Sequence, residues 1–149
     1  MLPAFKWVCY FLMFIAISCE KHDPQPKSNF ELSGPANGGQ VVPLVITSAS
    51  GSITGNYYKP SKVLSFTIVW NSLSGVPTSM YFNGPAIVGA TGTEIYGMTV
   101  FRAVANGNYS GYVSISALEE TDLMDGKWYF NIKTLLNPNG EIRGQMHVH

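Results

Sequence analysis

The chain has 149 residues, the length of about one domain, with nine Lys and Arg balanced by nine Asp and Glu. Zero net charge, 12% charged and 46% hydrophobic residues exclude the basic footprint of a nucleic-acid binder and the composition of a disordered chain. The two cysteines, Cys9 and Cys19, both lie near the amino terminus, which leaves no disulfide and no zinc cluster for the body, so packing must hold it together.

Lys6 is the only charge before Glu20, and it precedes an apolar run from Trp7 to Ile17. That run is too short for a bilayer core, which takes about 20 apolar residues, and reads as the hydrophobic region of a signal peptide. It ends in Ala16-Ile17-Ser18-Cys19 before Glu20-Lys21-His22-Asp23, which resembles the lipobox of bacterial lipoproteins. The resemblance implies a leader at 1–18 and a lipid on Cys19, although Ala16 stands where the lipobox more often has Leu. The alternative is an ordinary secretory signal or an uncleaved anchor. Residues 19–28 are polar and proline-containing, so they read as a tether to a domain at 29–149. His22 has no partner ligand nearby in sequence, and solvation is expected of it.

From Asn29 to Ala117 only five charged residues occur, Glu31, Lys59, Lys62, Glu94 and Arg102, fewer than long surface helices need. Strands are expected at Phe30 to Gly34, Gly51 to Tyr58, Val63 to Trp70, Ser79 to Asn83, Glu94 to Arg102 and Tyr109 to Ala117. The clearest is the third, where Leu64, Phe66, Ile68 and Trp70 alternate with smaller residues and should face the core. Gly and Pro clusters at 34–39, 74–77 and 83–85 punctuate the strands at sandwich or barrel spacing. The Gly38-Gly39 pair reads as a turn, since no helix follows to make a phosphate cradle. One short helix is expected at Leu118 to Asp125, with Glu119, Glu120 and Asp122 early and Gly126 as the stop. Calcium binding there lacks the ligand spacing and central glycine of a calcium loop.

The closing segment predicts a hairpin. Trp128, Phe130 and Ile132 alternate with polar residues, as do Ile142, Met146 and Val148. Keeping both apolar sets on one face requires an odd loop, which Pro138-Asn139-Gly140 supplies as a type I turn with a glycine bulge. That register sets Lys133 opposite Gln145 and Asn131 opposite His147. The fold class is therefore all-β, an antiparallel Greek-key-like sandwich or barrel with one short helix.

Tyr129-Phe130-Asn131-Ile132-Lys133-Thr134, followed by Gly140-Glu141-Ile142-Arg143-Gly144-Gln145, resembles the closing motif of the CHRD domain, a module named for chordin and found in bacterial secreted proteins. Phe30 to Gly34, Val41-Val42-Pro43, Ser48 to Gly51, Leu73-Ser74-Gly75 and Gly84-Pro85-Ala86 extend the resemblance over about Phe30 to Met146. It implies a β-sandwich-like extracellular domain that serves protein association and no known catalysis. Many bacterial members carry a His-x-His before Gly-Pro-Ala and another His in the closing strand, a trio that looks like a metal site. Here those positions hold Tyr81, Asn83 and Lys133, a phenol, an amide and an ammonium that do not suit a cation.

The remaining candidates are weak as catalysts. All three histidines lie in the tether or the last three residues, so no triad assembles, and Glu31, Glu94 and Glu141 are scattered acids. His147 and His149 are two apart on a strand and form an incomplete metal clip, with a frayed polar tail as the plainer reading. Glu141 is expected to bridge Arg143 or Lys133, an ion pair closing the hairpin. Tyr58, Tyr81, Tyr112 and Tyr129 fall on the parity opposite the core, so some should stay exposed to stack on sugars or anchor a protein, unless other elements cover them. The expectation is a lipid-anchored bacterial envelope protein, at the outer membrane, whose CHRD-like domain binds or scaffolds an envelope protein or glycan. It takes no cofactor and no nucleic acid. The alternative is a metal-binding protein or a metal-dependent or hydrolytic envelope enzyme.

Overall fold

The structure is a computed structural model that describes residues 26–98 and 104–149. The leader, Cys19 and His22 lie outside them, as do residues 99–102 of the strand expected to reach Arg102. The elements are β1 (Asn29–Asn37), a 3-10 turn (Gly38–Gln40), β2 (Ser50–Tyr58), β3 (Val63–Asn71), β4 (Pro77–Gly84), β5 (Thr93–Gly97), β6 (Gly107–Ser114), α1 (Ala117–Met124), β7 (Tyr129–Thr134), β8 (Ile142–Gln145) and β9 (His147–Val148).

The strands join in one antiparallel sheet in the order β5-β4-β7-β8-β1-β2-β3-β6, with β9 continuing beside β1. The fold is all-β, but the core is made by one sheet curling on itself and not by two stacked layers. Phe66 of β3 and Phe82 of β4 stand far apart in the strand order, yet their rings meet edge-on with centroids 4.7 Å apart. The two outermost strands are joined by a side chain, because the Tyr96 hydroxyl of β5 donates to the Ser114 carbonyl of β6 at 2.9 Å. A partly closed barrel results.

Alternation explains the inner face. Leu64, Ile68 and Trp70 are fully buried and Phe66 nearly so, as their period-two spacing requires. Tyr57, not Tyr58, is the inward tyrosine of β2, and Phe130, Ile132 and Ile142 complete the lining. The helix follows from a capping box: the Ser116 side chain accepts from the Glu119 amide while the Glu119 carboxylate accepts from the Ser116 amide. Ala117, expected to end a strand, therefore opens the helix. Gly126 closes it with φ +69.

Two expectations fail for physical reasons. Gly34-Pro35 is not a turn, since β1 runs on to Asn37. Proline is tolerated there because β8 and β9 pair with Asn37, Leu32 and Ser33 but not with Pro35, so no ladder bond is lost on that side. The hairpin register also differs: Tyr129 opposes Gln145, Asn131 opposes Arg143 and Ile132 opposes Ile142. Lys133 therefore does not face Gln145, nor Asn131 His147. Thr134 and Asn137 exchange backbone hydrogen bonds at 3.3 and 3.2 Å before the Asn137 carbonyl accepts from Gly140 at 3.0 Å, so two turns replace one. Leu135 and Leu136 leave the ladder as exposed residues. The slip is even, which keeps apolar opposite apolar.

Candidate functional site

The closing motif is buried on both faces. Every residue from Glu141 to Met146 is buried, because the loops after β1 and β4 fold over the side that alternation assigns to water. The Glu141 carboxylate accepts hydrogen bonds from Thr47 Oγ1 (2.8 Å), Ser74 N (2.8 Å), Ser74 Oγ (2.6 Å) and Thr134 Oγ1 (2.7 Å). Burial alone would raise its pKa, but the bonds from Ser74, Thr134 and Thr47 more than offset that and hold it below the usual carboxylate range. The expected ion pair with Arg143 or Lys133 does not form, because four neutral donors already occupy the carboxylate and Lys133 turns to Glu94 at 2.6 Å.

Arg143 packs over the Tyr129 ring, with its guanidinium carbon 3.6 Å from the centroid. It donates to the Ala90 carbonyl at 2.6 Å, the Ile87 carbonyl at 3.3 Å and Gln145 Oε1 at 3.0 Å. Burial lowers its pKa. Gln145 Nε2 donates to the Ala86 and Gly126 carbonyls at 2.9 and 2.7 Å, tying that loop to the helix end. Asn131 Nδ2 donates to the Asn139 carbonyl at 2.9 Å, and its amide fills the space that a β-carbon on Gly140 would need. Asn131, Glu141 and Gln145 thus clamp loops onto the barrel. Thr47, Ser74 and the loop carbonyls that serve them are far away in sequence, and no spacing pointed to them; the length of the covering loops was the available signal.

Tyr81, Asn83 and Lys133, which occupy the family's histidine positions, do come together. The β4–β7 ladder sets Tyr81 opposite Asn131 and Asn83 opposite Tyr129, and Lys133 Nζ lies 5.0 Å from the Tyr81 centroid. A cleft of about 280 Å³ opens there, lined by Asn83, Thr91, Glu94, Tyr129, Asn131 and Lys133 among others. Tyr129 is not a surface residue: it is 4% exposed, under Arg143, with its hydroxyl accepting from Gly92 N at 3.1 Å. Among the described residues no three His, Cys, Asp or Glu come together to hold a metal. His147 and His149 gain no third ligand, and His149 Nε2 instead bonds Ser33 Oγ at 3.0 Å.

A second surface has the opposite character. The outward positions of β1, β2, β3 and β6 form aligned rows: Ser33, Thr54, Thr67 and Ser110 in one, Glu31, Asn56, Ser65 and Tyr112 in the next. Among the described residues Glu31 is the one charged side chain in these rows, and His149 stands at the edge of the groove. A groove of about 620 Å³ runs over it, floored by the backbone of Gly55 and Gly111 on either side of Phe66. Thr67 and Ser110 share a hydrogen bond of 2.8 Å, which orients their hydroxyls. Tyr112, in the lining row, is 78% exposed, and Tyr58, one outward position beyond Asn56, is 48% exposed.

The sequence matches the CHRD domain family over residues 32–146, and the chain belongs to that family. No curated protein and no solved structure matched it.

Proposed function

We propose that this CHRD-family protein is a non-catalytic binding module, carried to the bacterial envelope by its leader and held at the outer membrane by a lipid on Cys19. We further propose that it binds a neutral saccharide of the envelope in the groove over β1, β2, β3 and β6. The observation carrying this reading is the composition of that face: hydroxyls and amides in register, one carboxylate side chain among the described residues, and exposed Tyr112 and Tyr58 at its side. Paired hydroxyl and amide groups exchange hydrogen bonds with sugar hydroxyls, and a tyrosine ring offers a flat apolar platform with a polar tip.

A glycan array with the purified protein tests the binding. Retention of neutral glycans, lost in Tyr112→Ala and unchanged in Tyr81→Ala, supports the reading; equal retention in both variants ends it. Incorporation of labelled fatty acid, abolished by Cys19→Ala, tests the anchor.

A further inference from the structure

We infer that the cleft beside the closing motif binds a small carboxylate ligand on Arg143. This site is separate from the saccharide groove, so either reading stands or falls alone. Arg143 is 3% exposed, and among the described residues no carboxylate pairs with it: the ion pairs there are Lys59–Glu120, Lys127–Asp122, Lys127–Asp125 and Lys133–Glu94. Glu141, two positions away, is fully engaged by Thr47, Ser74 and Thr134. A buried cation is costly unless an opposite charge or full hydrogen bonding compensates it, and Arg143 has neutral acceptors only.

Space for an anion adjoins the guanidinium. A recess of about 30 Å³ is lined by Arg143, Tyr129, Asn131 and Thr91. Val42, Thr91, Tyr129, Asn131 and Asn139 also line the 280 Å³ cleft, so the two adjoin. The recess has room for about one carboxylate oxygen beside Arg143, and the adjoining cleft takes the rest of the head. Arg143 has spare donors, since its bonds to Ala90, Ile87 and Gln145 use only Nη1 and Nη2. Lys133 stands in the larger cleft beside Glu94, so the ionic groups around the cleft carry a net positive charge. The cleft volume admits a ligand of a few heavy atoms beyond its carboxylate.

The test is titration of the ¹⁵N-labelled full chain at constant ionic strength with acetate, lactate, inorganic phosphate and chloride, read by NMR. The inference expects saturable shifts of the Arg143 side-chain and Gly92 amide signals with acetate and lactate and weaker ones with phosphate or chloride, chloride being unable to meet the planar fork at two points. Lys133→Met should weaken acetate binding about tenfold, the worth of one charge-assisted contact, and Arg143→Lys should abolish it because the planar fork is lost. Absence of saturable shifts with either carboxylate overturns the inference, as does an equal response to chloride or phosphate. Where Arg143→Lys does not fold, Lys133→Met decides: undiminished acetate affinity in that variant overturns it.

Discussion

Strands β3 and β8 begin from the same alternating pattern and end in opposite surroundings. On β3 the outward set, Val63, Ser65, Thr67 and Val69, meets water or shares a bond with its neighbour strand. On β8 the outward set, Arg143 and Gln145, lies under two loops and draws its hydrogen-bond partners from their carbonyls and from each other. Period-two spacing states which side chains share a face, but not what covers that face. A hydroxyl costs little on the first strand, whereas a charge on the second depends on the acceptors that surround it.

Breaking the buried network should give the largest effect. Glu141→Leu strands the donors of Thr47, Ser74 and Thr134, and urea unfolding should register a loss of about 3–5 kcal/mol. A Thr67→Val change on β3, measured the same way, should stay within about 0.5 kcal/mol. Equal losses at the two positions would contradict the contrast drawn between them.

Next in size are glycines. At Gly140, φ is +135 and a β-carbon would collide with the Asn131 side-chain amide, so Gly140→Ala should cost about 1–3 kcal/mol in thermal unfolding. A β-carbon on Gly75 would meet nothing within 4 Å beyond its chain neighbours, and Gly75→Ala should be neutral or stabilising by up to about 1 kcal/mol.

Acid should separate the two regions as well. Because the Glu141 pKa is depressed in the folded protein, its contribution is present above the unfolded value of about 4.3 and is lost as pH falls through the lower folded value. The melting temperature should drop over that window, and the Glu141→Gln variant should show a shallower drop. The smallest effect belongs to the groove: Tyr112→Ala should change stability by less than about 0.5 kcal/mol while removing saccharide binding.

Much of the β3 side of the molecule was legible in the residues. Leu64 to Trp70 announce their inner face by spacing, and Ser116, Glu119 and Gly126 mark the helix ends by local hydrogen bonding, which needs no distant partner. The candidate saccharide surface was legible in part, as exposed Tyr58 and Tyr112, but their alignment with Thr54, Ser65 and Ser110 requires the register of four strands. The β7–β8 side resisted reading. Tyr129 has the same parity signature as Tyr112, yet one is buried beneath a guanidinium and the other stands in water.

The amino-acid order alone set the all-β character, the inward faces and the closing motif that marks the family, because alternation, capping and turn chemistry act within a few residues. Folding in three dimensions settled the rest: one curled sheet in place of two layers, the shifted hairpin, and the partners of Glu141 and Arg143. Those outcomes depend on contacts between segments far apart in the chain, where a loop that folds back decides whether a polar side chain meets water or protein.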